Sequence, residues 1–258
     1  MTSPGKLTVG SDGKLRGPAS IGYSTPFPVP NGTPGGSGVM QGVVMHTEVG
    51  FDASAVNEFE NPASHVSAWF SVRDDGHITQ YGPVGQNWMA WAQEAGNPSW
   101  YSIEHEDHGD PRIPLSEAQI GASAQLLECL SAYAGFPLQE ANTPEERGYG
   151  LHCMGGQAWG GHTCPDVPPT PVRSLQRPAI IELAKAIRGS GGQPQPARPG
   201  PFRHTANGGD SLAAIAAARG TTPDHLLRVS AGGYTPQDIA AIANLALPAG
   251  TPYYTSNP

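Results

Sequence analysis

Residues Leu151–Asp166 have the sequence LHCMGGQAWGGHTCPD, which carries three side chains suited to a metal ion: His152, His162 and Cys164. Histidine and cysteine are the preferred ligands of zinc. The spacing differs from that of a zinc finger, because the chain contains no Cys-x-x-Cys pair. A structural zinc site uses four protein ligands, whereas a catalytic site uses three and keeps one position for water. Two ligands from this segment and one from far upstream would therefore form a site of the catalytic kind.

The upstream candidate is His46, which follows the apolar run Gly38–Met45. A short apolar run of this kind predicts a buried strand. A ligand at the end of a strand is held rigidly, as a catalytic metal requires. Taken alone, such a histidine is more often a structural residue with satisfied hydrogen bonds. Its combination with His152 and Cys164 favours the metal site.

The bulk composition limits the classes of function. The 258 residues suffice for one domain of ordinary size and a smaller one. The net charge of −8 and the scattered Lys and Arg leave no basic stripe, so we do not expect nucleic acid as a partner. No apolar run has the length of a membrane span, and the first residues lack the apolar core of a signal peptide. We expect a monomer that is made in the cytoplasm and does not insert into membranes.

The chain has an odd number of cysteines, three, which predicts no disulfide framework. Cys129 is expected to be a buried helix residue.

Hydrophobic periodicity predicts strands that alternate with helices. The Asp74–Gly76 sequence, Asp-Asp-Gly, is a hairpin turn signal. Ser116 and Gln119 form a capping box at the start of a helix that Gly135 can end. The alternation predicts an α/β domain over about residues 34–189. The expected strands are Gly38–Met45, Val66–Val72, His77–Tyr81 and Tyr101–His105, and two further expected helices are Asp52–Glu60 and Arg177–Arg188.

Composition divides the chain into four parts. Residues 1–37 are rich in Gly, Pro and Ser without periodicity, which predicts a loosely ordered N-terminal arm or a surface wrap. The α/β domain follows at 38–189, and residues 190–202 are a linker rich in Pro and Gly. Residues 203–258 are expected to form a small α+β module, in which Asp210 or Ser211 caps a helix.

The order of these motifs resembles the zinc-dependent N-acetylmuramoyl-L-alanine amidases of the type-2 amidase and peptidoglycan-recognition family. The shared features are an apolar strand ending in His46, a hairpin with Asp-Gly, a Trp…Ser-Ile-Glu segment, and His…His-Thr-Cys-Pro. The resemblance covers about residues 38–170 and is closest to endolysins of phages that infect actinobacteria. It implies a central mixed β-sheet flanked by helices, and Zn²⁺ held by His46, His152 and Cys164. Asp166 is an alternative third ligand, although members that use a carboxylate place it where this chain has Cys164.

The resemblance also implies catalytic residues. Many members carry, two positions before the third ligand, a Lys that stabilises the oxyanion. This chain has His162 there, which can serve as a donor or can be a fourth ligand that closes the site. Some members use a Tyr as general base, at the position of Ala68 here. Others use a Glu in a Gly-Ile-Glu segment, which implies that Glu104 of Ser102-Ile103-Glu104 is the base.

Other polar and aromatic residues near these motifs have two interpretations. The segment of residues 105–108, His-Glu-Asp-His, is expected to be mostly solvated or to line a groove, because adjacent strand residues point to opposite faces. The tryptophans are either core residues or parts of an aromatic groove for substrate. We expect Trp91 and Trp159 to contact substrate, and Trp159 above all, because it lies in the glycine-rich loop.

Residues 203–258 resemble a LysM module through His-Thr-x-x-x-Gly-Asp-Ser-Leu-x-x-Ile-Ala, which implies binding to glycans that contain N-acetylglucosamine. The alternative is a small helical cap without a ligand. Together the features predict a phage endolysin that hydrolyses the amide between N-acetylmuramic acid and L-alanine in bacterial peptidoglycan, after release by a holin. The alternatives are a non-catalytic peptidoglycan-binding protein of the same fold, a zinc peptidase acting on the stem peptide, and a structural virion protein.

Overall fold

The computed structural model describes residues 6–85, 87–189, 203–205, 211, 213–214 and 252–254. The strands are β1 (Thr8–Val9), β2 (Leu15–Arg16), β3 (Ile21–Tyr23), β4 (Gly32–Pro34), β5 (Gly42–Met45), β6 (Phe70–Val72), β7 (Ile78–Gln80), β8 (Trp88–Ala90), β9 (Trp100–His105), β10 (Gly148–Leu151), β11 (Arg203–Thr205) and β12 (Pro252–Tyr254). The α-helices are α1 (Asp52–Glu60), α2 (Glu117–Ala134) and α3 (Arg177–Gly189).

A six-stranded sheet in the order β10-β5-β9-β6-β7-β3 forms the centre of the domain. Its strands pair in parallel except for β6 and β7, which form an antiparallel hairpin. Helices α2 and α3 pack against each other, and their buried apolar residues join those of the sheet in one core. The predicted fold class, a mixed central sheet with flanking helices, is confirmed.

The local signals of the hairpin and of α2 are confirmed. Gly76 has φ +83° and donates its N–H to the carbonyl of Arg73 at 2.8 Å, which closes the turn between β6 and β7. Ser116 Oγ accepts the N–H of Gln119 at 3.0 Å, and the Gln119 side chain accepts the N–H of Ser116 at 3.0 Å. Gly135 ends the helix in the left-handed conformation. Cys129 is buried in this helix, as expected.

The strand at Gly148–Leu151 was not predicted, because its sequence, Gly-Tyr-Gly-Leu, has low intrinsic strand preference. Packing requires its first glycine instead, because a Cβ atom on Gly148 would lie 2.3 Å from the carbonyl oxygen of Gln139. A Cβ atom on Gly42 in β5 would lie 1.8 Å from the carbonyl oxygen of Gly148, so the two strands approach too closely for side chains there. This close pairing places the ends of β5 and β10 side by side.

The prediction of a loosely ordered arm is wrong for the described part of residues 1–37. Strand β3 forms one edge of the central sheet. Leu15 is fully buried in the core, and its N–H donates to Gln80 Oε1 at 2.8 Å, while Gln80 Nε2 donates to the carbonyl of Gly13. The strands in this region are two or three residues long, too short for a periodic pattern to show.

The predicted linker, 190–202, and most of the predicted module, 203–258, lie outside the described residues. Within the module, β11 pairs in antiparallel fashion with β12, and Arg203 lies opposite Tyr254. Ser211 Oγ accepts the N–H of Ala214 at 3.2 Å, which is the contact expected of a helix cap. Of the helices in the described residues, none is both long and apolar enough to span a membrane.

Candidate active site

The three predicted metal ligands meet at one end of the sheet. Met45 and Leu151 are register partners in β5 and β10, so His46 and His152 emerge side by side, with ring centroids 4.3 Å apart. Cys164 joins them, because its Sγ accepts the N–H of Thr47 at 3.3 Å. The ligand atoms of His46, His152 and Cys164 all lie within 4.8 Å of one another.

Both histidines are held by the ring nitrogen Nε2. His152 Nε2 lies 2.9 Å from the carbonyl oxygen of Trp159, which can only accept a hydrogen bond. His46 Nε2 lies 3.1 Å from Gln93 Oε1. Histidines that bind metals usually donate their other N–H to a carbonyl or carboxylate oxygen in this way. Each ring therefore has Nδ1 available for an ion.

The protonation states of the three side chains suit a cation. Burial lowers the pKa of His46 far below its ordinary value and that of His152 to about 4, so both rings are neutral, as ligands must be. Burial, followed by the charge of Glu104, raises the pKa of the Cys164 thiol well above its ordinary value. A buried thiolate at this position needs a positive charge beside it, which a divalent metal would provide.

Glu104 lies beside this cluster, in β9. Its Oε1 is 3.6 Å from His46 Nδ1, and its Oε2 is buried without a hydrogen-bond partner among the described residues. Burial, followed by the charge of Asp107, raises the pKa of Glu104 to about 8. The structure thus places the predicted base next to the predicted ligands.

A second carboxyl group near the site, Glu48, was missed by the sequence analysis. Both of its carboxylate oxygens are buried and lack hydrogen-bond partners within the described residues. Burial, and then the charges of Glu104 and Asp52, raise its pKa to about 10. The only signal in the sequence is its position two residues after His46, which does not distinguish it from an exposed loop residue.

His162 lies at the edge of the cluster rather than inside it. Its exposed ring stacks on His152 with centroids 4.9 Å apart. Among the residues that the structure describes, two groups of ligand atoms lie close together, His46 with His152 and Cys164, and Asp74 with Glu106 and His108, and neither includes His162. This arrangement does not favour the alternative in which His162 is a fourth ligand.

The alternative third ligand, Asp166, is contradicted by its contacts. Asp166 is buried, and its Oδ1 accepts the N–H groups of Val172 and Arg173, each at 2.8 Å. Its Oδ2 accepts the hydroxyl of Ser174. The carboxylate is thus engaged in holding the turn that leads into α3, and it lies outside the group of His46, His152 and Cys164.

The expectation that residues 105–108 are mostly solvated is also wrong. His105 is fully buried, with Nδ1 2.9 Å from the carbonyl of His46 and Nε2 2.8 Å from Ser123 Oγ. Asp107 is fully buried as well, and its carboxylate accepts backbone N–H groups that compensate for the loss of water. His108 alone in this segment is exposed, and its Nε2 lies 3.2 Å from Asp74.

The tryptophans are mainly core residues. Trp159 is only 3% exposed and packs edge-on against the buried Trp100, with centroids 5.8 Å apart. Its contact with substrate stays a prediction. Trp88 is buried too. Trp91 is partly exposed and donates its Nε1–H to Thr33 Oγ1 at 2.8 Å, and its substrate contact stays a prediction.

Known proteins resemble this chain in sequence and in fold. N-Acetylmuramoyl-L-alanine amidase A of Achromobacter lyticus is 35% identical over 94 residues, which are 36% of this chain and 52% of that protein. The match thus spans about half the length of this curated relative. The hydrolase AmiA of Staphylococcus aureus, solved in complex with its ligand, shares the fold with a TM-score of 0.52 at 19% identity, over 76% of this chain and all of that one.

A sequence profile of the N-acetylmuramoyl-L-alanine amidases matches residues 36–167, about half of the chain, and includes His46, Glu104, His152 and Cys164. The chain therefore belongs to the N-acetylmuramoyl-L-alanine amidase family.

Proposed function

We propose that this protein is a zinc amidase that hydrolyses the bond between N-acetylmuramic acid and L-alanine in bacterial peptidoglycan. The observation that carries the proposal is the convergence of His46, His152 and Cys164, with Glu104 beside them. Zinc held by the three ligands supplies Lewis acidity for the attack of water on an amide carbonyl. Three protein ligands are the number found in catalytic zinc sites.

Glu104 is the proton acceptor in this proposal. Its pKa of about 8 in the metal-free protein lies near neutrality, where a group can both accept and release a proton. A nearby cation lowers the pKa of a carboxyl group, so zinc favours the ionised, accepting form. Its carboxylate receives the proton of the attacking water and passes it to the leaving amine of L-alanine, and its Oε2 has no competing hydrogen-bond partner among the described residues.

His162 is the proposed donor to the oxyanion. Its ring is exposed and stacks on the ligand His152, so it borders the place where an amide carbonyl would be attacked. An N–H group aimed at developing negative charge typically contributes 10²–10³-fold to kcat. We expect His162→Ala to lower turnover by about that factor, whereas zinc content stays at the wild-type level.

Zinc content and hydrolysis of purified cell walls test the proposal together. We expect one zinc per wild-type chain, loss of zinc and activity in Cys164→Ala, and normal zinc without activity in Glu104→Gln. Cys153→Ala is a matched control, since Cys153 neighbours His152 but lies outside the ligand group. Release of L-alanine amino groups identifies the amidase reaction.

Two results would favour the alternatives. Wild-type protein that binds zinc and walls but frees no amino groups would be a non-catalytic peptidoglycan-binding protein. New amino groups on a residue other than the L-alanine joined to N-acetylmuramic acid would indicate a peptidase of the stem peptide.

The proposal extends to a wall-binding module at 203–258 and to the role of an endolysin. It is supported by the LysM-like motif and by the pairing of β11 with β12. A tethered module raises the local concentration of the enzyme on a polymeric substrate. We expect the full chain to sediment with insoluble peptidoglycan and a chain ending at Gly189 to sediment less. Equal sedimentation would leave 203–258 without a binding role.

A further inference from the structure

We infer that Gln93 is a positioning residue of the metal site, which holds the imidazole of His46 in the tautomer that offers Nδ1 to the ion. The inference rests on the proposed role of His46 as a zinc ligand. It concerns a side chain that lies 47 residues away from His46 in sequence and that carries no metal-binding signal of its own.

The orientation of the Gln93 amide follows from its surroundings. Gln93 is 1% exposed, and its Nε2 donates to the carbonyl oxygen of Trp100 at 2.9 Å. Because a backbone carbonyl can only accept, the NH₂ end must face Trp100 and the oxygen end must face His46. The loop is held as well: Asn97 Oδ1 accepts the N–H of Gln93 at 2.7 Å and that of Ala92 at 2.9 Å.

This orientation determines which ring nitrogen of His46 carries hydrogen. Gln93 Oε1, 3.1 Å away, can only accept, so His46 Nε2 must be the donor. A neutral imidazole has one N–H, and Nδ1 is therefore left with its lone pair. Nδ1 is also the nitrogen that faces Glu104, at 3.6 Å, on the side of the cluster. Without the amide oxygen, the Nδ1–H tautomer would be allowed, and that tautomer cannot bind a metal through Nδ1.

The two histidine ligands differ in how they are held. His152 donates to the backbone carbonyl of Trp159, a contact that a side-chain substitution does not remove. His46 depends on a side chain. The tautomer of His46 is therefore open to a direct mutational test, and Gln93→Met, which keeps the length of the side chain but removes its hydrogen bonds, is the appropriate change.

Two measurements on the full chain test the inference. Competition with a chromogenic chelator should show that Gln93→Met binds Zn²⁺ about 10- to 100-fold more weakly than the wild type, the usual cost of losing such a partner. Nitrogen-15 NMR of the metal-free protein should show His46 as the Nε2–H tautomer in the wild type and a mixture in Gln93→Met. Gln80→Met is the matched control, because Gln80 is equally buried but its side chain bonds to the backbone of Gly13, Leu15 and Gly82. We expect wild-type zinc affinity and an unchanged His46 tautomer in this control.

Each outcome decides a separate question. If Gln93→Met keeps the zinc affinity and the His46 tautomer of the wild type, the inference is wrong. It is also wrong if His46 of the wild type is the Nδ1–H tautomer, a measurement that does not depend on the folding of any variant. An equal loss of affinity in Gln80→Met would reduce the effect to general destabilisation and would also count against it. Failure of the wild type to bind zinc would refute the proposed function instead, and the tautomer measurement would still decide the role of Gln93.

Discussion

The carboxylate of Asp107 is the main support of the loop that follows His46, and its replacement by asparagine tests that role. Its Oδ2 accepts the Thr47 hydroxyl at 2.6 Å and the N–H of Val49 at 3.1 Å. Its Oδ1 accepts the N–H of Gly50 at 2.7 Å and that of Gly109 at 2.9 Å. One fully buried carboxylate therefore satisfies three backbone donors and one hydroxyl.

The magnitude follows from which bonds an amide can keep. In Asp107→Asn the NH₂ group belongs on the Oδ2 side, because on the other side it would face two backbone N–H groups. The hydroxyl of Thr47 can rotate to accept from the amide, but the N–H of Val49 is left unpaired. Two charge-assisted hydrogen bonds contribute about 3–6 kcal/mol, and one of them is partly recovered. We expect the free energy of unfolding to fall by about 2–4 kcal/mol.

Urea unfolding followed by tryptophan fluorescence measures this loss, because all five tryptophans lie between residues 69 and 159 and report on the amidase domain. The matched control is Asp110→Asn, three residues after Asp107. The Asp110 carboxylate pairs with Arg112 at the surface, so the urea midpoint of this variant should equal that of the wild type. A loss below about 1 kcal/mol in Asp107→Asn, or a loss equal to that of the control, would refute the reasoning.

Three further predictions test packing, helix propensity and pH dependence. Gly42→Ala should prevent soluble folding, because its Cβ would lie 1.8 Å from the carbonyl oxygen of Gly148; a soluble protein with a wild-type fluorescence spectrum would contradict the close pairing. Gly121→Ala, in the interior of α2, should raise the free energy of unfolding measured in urea by about 0.5–1 kcal/mol, because the new Cβ would have no described atom within 4 Å apart from the adjoining helix backbone; a decrease would be inconsistent with this open space. Burial is the main cause that lowers the pKa of His105 to about 3, so between about pH 6.5 and pH 3 the unfolded chain binds a proton at this residue and the folded chain does not. As the pH decreases through this window, the free energy of unfolding should decrease by up to about 1.4 kcal/mol per pH unit, and His105→Gln should make this dependence less steep.

The sequence was enough to predict the helix ends and the turn, because these depend on residues that are close together in the chain. The capping box of Ser116 and Gln119, the glycine at 135 and the turn at Asp74–Gly76 each act through bonds to near neighbours in sequence. The fold class followed from the alternation of such elements. The ligand candidates His46, His152 and Cys164 were found because histidine and cysteine are the side chains that zinc prefers and because their order resembles a known family.

Tertiary structure decided what depends on distant partners. Strand β3 and the glycine-rich β10 exist because their neighbours in the six-stranded sheet supply their hydrogen bonds, so no periodicity marks them. Burial likewise placed Trp159 in the core and committed Asp166 to backbone donors, although each looked available in the sequence. The protonation of Glu48 and Glu104 also depends on the fold. Their pKa values are raised mainly by desolvation, and the amino-acid sequence does not show which carboxyl groups are buried. The sequence by itself determined which side chains could bind a metal, and only the packing determined how they are oriented and charged.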